Sequence, residues 1–421
     1  MKLRFADQKI NNKPLSFSTH GLAVLSICIY IVCAVVFEFT AISLPVISSY
    51  SLYFCLACCA LNCLVKGKIT FHWTMGALLL LGILIWISCL YTPASARYTD
   101  TYLYRYWTSF VLCFLIVSVR PKEKDIFKIV YAFIIAGVIL ASYVYVYYGV
   151  DVLINLGSRM EHSNFGNVNV VGSYCAMSAM LAIYAMLALK GNKILCIAAT
   201  VICVPCILFT GSRRALLTVV VCILAFLFIY YKNSSLIKRI LISVSLVLVI
   251  LWIIDTVPAF EPIRERFVGL FDMFSGNDAT IEGDENRIYY MTEGLKMFWE
   301  RPLFGNGFCY SYYVFGTYSH NNYVEMLMCN GIVGFVLYYS VLVGVMIGCF
   351  RSQIDERIKM LVYILLVKFV MDDIGMVTYY NRMSFVIIAL LICCVLTGEA
   401  KNKIDTNNSM KIQNKSLNSK H

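Results

Sequence analysis

Apolar residues come in runs of about 20 along this chain, separated by short polar stretches that carry lysine or arginine. A helix of that length crosses the hydrocarbon core of a bilayer, so each run reads as a membrane span. About twelve such runs occur, near 20–38, 43–64, 72–91, 103–118, 126–148, 168–189, 194–210, 215–231, 238–255, 322–349, 358–377 and 382–397. The polar stretch before the first run is too long for the charged start of a signal peptide, so the first span is expected to be retained. The pattern predicts an all-α, polytopic membrane bundle of about twelve transmembrane helices in a single integral membrane domain, 1–421. A large outer loop is expected at 256–321 and a polar cytoplasmic tail at 398–421.

Composition agrees. Of 421 residues, 60% are hydrophobic and 14% charged, too little polar surface to cover a water-soluble protein of this size. Lysines sort the loops. Lys66 and Lys68; Arg120, Lys122 and Lys124; Lys190 and Lys193; Lys232, Lys238 and Arg239; and Arg351, Arg357 and Lys359 fall in alternate loops, on the same side as both termini, with lysine dominant. By the positive-inside rule these loops and both ends face the cytoplasm. The net charge of +11 is then mostly topology and gives no reason to expect a nucleic-acid partner. Most of the eighteen cysteines sit inside apolar runs and read as small hydrophobes. No phosphate-binding loop or metal-spaced His/Cys cluster is found, so neither a cofactor nor a metal is expected.

The loops assigned outside carry arginine where the inner ones carry lysine: Arg97, Arg105, Arg159, Arg213, Arg214, Arg264, Arg266, Arg287, Arg301 and Arg382, with Lys296 the one lysine. A guanidinium grips phosphate or carboxylate through two parallel hydrogen bonds, so such a face suits a pyrophosphate or acidic-sugar ligand; ion pairing and lipid headgroups are the plainer alternatives. In "FTGSRRALL" the loop is short, and Arg213 and Arg214 open the next helix, whose N-terminal amides also favour an anion. Snorkelling to outer-leaflet phosphates would need no ligand. In the large loop, Ile288, Met291, Leu295 and Phe298 recur at helical spacing, predicting an amphipathic helix on the outer membrane surface with Asp284 as cap and Arg287 in its first turn. Arg287 could instead pair with Asp284 or Glu285. Pro302 stops that helix, and the glycines of "PLFGNG" allow tight turns. Late in the eleventh span, Lys368 and Asp372 are spaced to pair on one helix face, leaving Asp373 either an arginine partner or a chemical role. His320 precedes the tenth span, with Asn322 as the expected cap and Glu325 in a capping-box position. A histidine there is either an interfacial residue or a proton acceptor beside bound phosphates.

Together, "GSRRALL", the Arg287 helix with "PLFGNG", and "SHNNYVEMLMCNGIVG" resemble the O-antigen ligase and O-antigen/capsule polymerase superfamily of lipid-carrier-dependent membrane glycosyltransferases. The resemblance is most specific from Arg213 to Gly334. "SRMEHSNFGNVNVVG" is similar to a further family segment through Arg159, Asn167 and Asn169, although Val168 stands where a proline is frequent. Asp373 falls where ligases often carry an acid. What the resemblance implies is an enzyme of the bacterial inner membrane that takes an undecaprenyl-pyrophosphate-linked glycan donor on the outer face and moves it to a glycan acceptor. His320 would activate the acceptor. Arg213, Arg214, Arg287, Arg159 and Asp373 would bind pyrophosphate or glycan. Membrane lipid, a flippase and a chain-length regulator are implied partners. Polymerisation of repeat units is the leading reading, because polymerases serve both O-antigen and capsule pathways. Ligation to lipid A-core is the alternative, and a lipid-linked sugar flippase the alternative of another class. Against the flippase, the sequence shows no two-half internal repeat.

Overall fold

The structure is a computed structural model that describes residues 18–37, 45–149, 167–256, 264 and 284–399. Arg159, Arg266 and most of the expected cytoplasmic tail lie outside the described residues, as do 257–263 and 265–283 of the large loop. The described residues are helical and contain no strand. The helices are α1 (Thr19–Phe37), α2 (Pro45–Lys66), α3 (Trp73–Ser88), α4 (Ala96–Val119), α5 (Glu123–Tyr148), α6 (Val168–Leu187), α7 (Lys193–Thr210), α8 (Arg213–Tyr230), α9 (Leu236–Thr256), α10 (Asp284–Glu300), α11 (Tyr310–Phe315), α12 (Asn322–Arg351) and α13 (Glu356–Asp373), followed by α14 (Arg382–Glu399).

Nine of these helices are long and apolar enough to cross a membrane: α1, α2, α4 to α8, α12 and α14. The three other expected spans coincide with α3, apolar but only 16 residues long, with α9, and with α13, which carries Lys368, Asp372 and Asp373 in its last turns. Helix α6 lies at the centre, packed on α5, α7 and α8, while α13 packs on α8 and α3 on α12. The cysteines fill this interior; only Cys28, Cys33 and Cys89 are not buried.

Two local arrangements position everything near the candidate site. The first is the turn "TGSRR". Gly211 ends α7 in the left-handed conformation at φ 59°, and the Ser212 side chain caps α8 by accepting from the Ala215 amide at 3.4 Å. A glycine C-cap followed at once by a serine N-cap leaves no room for a longer loop, so both arginines fall in the first turn of α8.

The second is a break in α12. Gly331 has φ 65° and ψ −170°, so the helix is interrupted there. The break frees the carbonyls of Met328 and Cys329 and the amides of Ile332 and Val333. "PLFGNG" takes up all four. The Asn306 and Gly307 amides donate to the Met328 and Cys329 carbonyls at 2.9 and 3.0 Å, while the Ile332 and Val333 amides donate to the Pro302 and Leu303 carbonyls at 2.8 and 3.2 Å. The Asn306 side chain adds bonds to the carbonyls of Met328 and of Met297 in α10. The sequence reads 322–349 as one continuous span and "PLFGNG" as a plain turn; the structure makes them two halves of one joint. The strands of backbone approach so closely that a Cβ on Gly331 would lie 2.3 Å from the Leu303 oxygen.

Helix α10 packs on the N-terminal half of α12, with Gly294 against Val324. Of its expected apolar stripe only Phe298 is buried; Ile288, Met291 and Leu295 are exposed by 42, 36 and 40%. The inward face is offset from that stripe and holds Arg287, Tyr290, Gly294 and Phe298. The polar face is thus not opposite the apolar one, because α10 has to serve α12 on one side and leave an apolar stripe uncovered on another.

The joint yields a test. Gly331→Ala combines a positive φ with a backbone clash, a strain of roughly 1–3 kcal/mol or more. Its thermal midpoint in detergent is expected to fall by several degrees, whereas Gly76→Ala, whose Cβ would meet nothing nearer than Phe71 at 3.8 Å, is expected to match the parent. Equal midpoints for the two variants would contradict the account of the joint.

Candidate functional site

His320 sits in the turn between α11 and α12 with φ 59°, in the left-handed region that non-glycine residues seldom enter. Neighbours on both sides hold it there. Glu325, wholly buried one turn into α12, accepts from the Ser319 amide at 2.8 Å and from the Ser311 hydroxyl of α11 at 2.6 Å. The Ser319 hydroxyl donates to the Asn321 carbonyl at 2.9 Å. Asn321, not Asn322, is the N-cap of α12, its side chain accepting from the Val324 amide at 3.1 Å. Glu325 therefore ties the histidine turn to α11 instead of closing a capping box. The expected cap Asn322 points inward and has another task, described below.

The imidazole lies between two aromatic rings, Tyr318 at 4.2 Å and Tyr290 of α10 at 6.2 Å between centroids, the latter nearly parallel. It is half-buried, and among the described residues no group hydrogen-bonds to its ring nitrogens. Burial, then the guanidinium of Arg287, then that of Arg214, hold its pKa below the ordinary 6.5, at about 4. At neutral pH this ring is a neutral base with its nitrogens uncommitted.

Arg214 reaches this place from the first turn of α8. Its Nη2 donates to the Asn169 carbonyl at 3.3 Å and contacts the Met376 sulfur, and its Nη1 donates to the Asp372 carbonyl at 3.4 Å. Among the described residues no carboxylate contacts it. The nearby Asp372 carboxylate is occupied by Lys368, as the spacing on α13 predicts, and by the Ser173 hydroxyl at 2.9 Å. Arg287 is half-buried and makes no ion pair among the described residues. Among the described residues neither guanidinium has a carboxylate partner, and the charges of both act on the His320 imidazole, an arrangement suited to a polyanion. Arg213 lies one residue earlier, about 100° around the helix.

Tyr318 completes the group. Its ring touches His320, and its hydroxyl accepts from the Asn167 side-chain amide at 3.3 Å. Burial raises its pKa, so it stays protonated. Asn167 caps α6, and the backbone carbonyl of Asn169 in its first turn holds Arg214. Of the segment read with Arg159, these two residues lie beside Tyr318 and Arg214; Arg159 itself is outside the described residues.

Asp373 is wholly buried, and among the described residues no arginine bonds to it. Asn322 at 3.3 Å, Tyr339 at 2.7 Å and Thr378 donate to its two oxygens. Asn322 in turn accepts from the Thr378 and Tyr379 amides at 2.9 and 3.3 Å. In this geometry Asp373 fastens the loop after α13 to the start of α12. Sequence reasoning missed Tyr318, Glu325 as an anchor and Asn306. Only Asn306 had a usable signal, a polar residue between two glycines after a helix-stopping proline.

Residues 197–339, from within α7 to within α12, match the family model described as O-antigen ligase. The match spans Arg214, Arg287, Tyr318 and His320. Over that stretch, about a third of the chain, the protein is similar to this family, and its many long apolar helices suit a multi-pass membrane protein. No curated protein matches the chain.

The electrostatics of His320 can be read directly. The folded pKa lies below the ordinary value, so the stability tied to this group is full above about pH 6.5 and falls as pH drops toward 4. With five histidines in the chain, isotope-labelled imidazole NMR resolves the titration. His320 is expected to titrate near 4, and Arg287→Gln, which removes a positive charge, to raise its midpoint. A midpoint unmoved in that variant would place Arg287 away from the ring.

Proposed function

We propose that the chain is a membrane glycosyltransferase that joins undecaprenyl-pyrophosphate-linked oligosaccharide repeat units into O-antigen or capsular polysaccharide at the outer face of the bacterial cytoplasmic membrane. The observation that carries this reading is the neutral imidazole of His320 under the charges of Arg214 and Arg287, neither of which has an ion-pair partner among the described residues. The bundle crosses the membrane twelve times, α3, α9 and α13 included, with both termini in the cytoplasm and the α10–α11 region outside. The exposed stripe of α10 (Ile288, Met291 and Leu295) then meets the outer leaflet, next to the route by which a lipid-linked donor arrives.

The chemistry needs little else. The acceptor hydroxyl gives its proton to His320 as its oxygen bonds to the anomeric carbon. The bond from that carbon to the diphosphate breaks, and its electron pair stays on the diphosphate oxygen. Arg214 and Arg287 neutralise the charge that develops there. Arg213, in the same turn, contributes to the field at longer range, and the amides at the start of α8 add to it.

A second reading has its own support. The matching family is described as O-antigen ligase, and a ligase would use the same donor site with lipid A-core as acceptor. The two are separated by product. Polymerisation gives a ladder of lengths on lipid carrier, and ligation gives glycan on core.

Both readings predict the same variants. In proteoliposomes supplied with lipid-linked repeat units, His320→Ala is expected to slow transfer by about 10²–10⁴-fold. Arg214→Lys keeps the charge and loses the fork, and is expected to slow transfer roughly tenfold or more. Parent-like transfer by His320→Ala would reduce His320 to an interfacial residue and remove the reading.

A further inference from the structure

We infer that Tyr318 is a third diphosphate ligand, whose hydroxyl donates a hydrogen bond to the leaving diphosphate between Arg214 and Arg287. The inference rests on the donor-binding reading above.

The direction of its hydrogen bond follows from Asn167. That side chain caps α6, so its Oδ1 is fixed by accepting from the Asn169 amide at 3.0 Å. Its Nδ2 must then be the end that faces Tyr318, donating to the phenol oxygen at 3.3 Å. A phenol whose oxygen already accepts has its own proton to give, and among the described residues no group takes it. The charges that act most on this phenol are the Arg287 and Arg214 guanidinia, the two groups that also act on His320. The hydroxyl is bonded to Asn167 in the first turn of α6, the turn whose Asn169 carbonyl holds Arg214, and its ring lies against the imidazole.

An O–H donor at an anion gives a short, charge-assisted bond. Its use is greatest as the glycosidic bond breaks and charge grows on the diphosphate oxygen. The first turn of α6 thus serves both donors at once, Asn169 holding Arg214 and Asn167 orienting Tyr318. The plainer role for Tyr318 is packing alone, with its ring buttressing His320. Tyr318→Phe separates the two, because it keeps the ring and deletes the donor.

The test titrates undecaprenyl diphosphate into the full chain in lipid nanodiscs and measures transfer alongside. Tyr318→Phe is expected to weaken diphosphate binding roughly tenfold and to slow transfer by at least that factor. The NMR midpoint of His320 should stay at the parent value. Asn167→Ser, which keeps a capping oxygen and withdraws the amide, is expected to weaken the same binding by a smaller factor, and it serves if Tyr318→Phe does not fold. Parent-like binding in the folded variants overturns the inference and leaves Tyr318 a packing residue. A parent that does not bind undecaprenyl diphosphate overturns both the inference and the proposed function. A parent that binds it with Tyr318-dependent affinity, yet transfers no glycan to any acceptor, removes the proposed function and upholds the ligand role.

Discussion

Four backbone hydrogen bonds across the break at Gly331 hold the site in place. In a lipid environment an unpaired amide or carbonyl is strongly unfavourable, so a helix can break only where something else satisfies the freed groups. Here residues 302–307 supply two carbonyls and two amides in the required order. The joint fixes the N-terminal segment of α12 against α10 through Asn306, which also binds the Met297 carbonyl. From that segment Glu325 reaches back to α11 and to Ser319, and so sets the unusual backbone of His320. The position of one imidazole thus follows from a chain of main-chain constraints, most of them inside a single stretch of about 50 residues.

The other half of the site comes from elsewhere in the bundle, and its logic is electrostatic. Arg214 would be expected to pair with a buried acid on α13. Lys368 takes that acid first, leaving the guanidinium with carbonyls and a sulfur. Arg287 is likewise without an ion pair among the described residues. Their combined field, together with burial, keeps His320 neutral. One arrangement therefore prepares a place for an anion and a base that can accept a proton beside it. Asp373 does the mechanical work of joining the loop after α13 to α12.

Much of this was legible from residues alone. Apolar runs gave the helices, glycine followed by serine gave the turn before Arg213 and Arg214, and the scarcity of histidine drew attention to His320. What was not legible depended on phase and on long-range pairing. Arg213 and Arg214 are equivalent in sequence, and only the rotation of α8 against α6 and α13 turns Arg214 toward the site. Gly331 looks like one more small residue in a membrane helix, since a helix break shows in sequence only through the partner that repairs it. Asn321 and Asn322 both suit a cap, and the choice falls on Asn321 because Asn322 is needed by Asp373 and by the amides of Thr378 and Tyr379. The apolar spacing on α10 is visible in sequence, but of its four residues only Phe298 is buried, while Ile288, Met291 and Leu295 are exposed.

The central claim is that Arg214, Arg287 and His320 form one site for a lipid-linked diphosphate donor. Its most direct test is an experimental structure of the chain in nanodiscs with undecaprenyl diphosphate bound. The account predicts the diphosphate between the Arg214 and Arg287 guanidinia, with the His320 imidazole close enough to reach an acceptor oxygen on the neighbouring anomeric carbon. Diphosphate bound on another face of the bundle, or held by guanidinia with His320 turned away from it, would contradict the account.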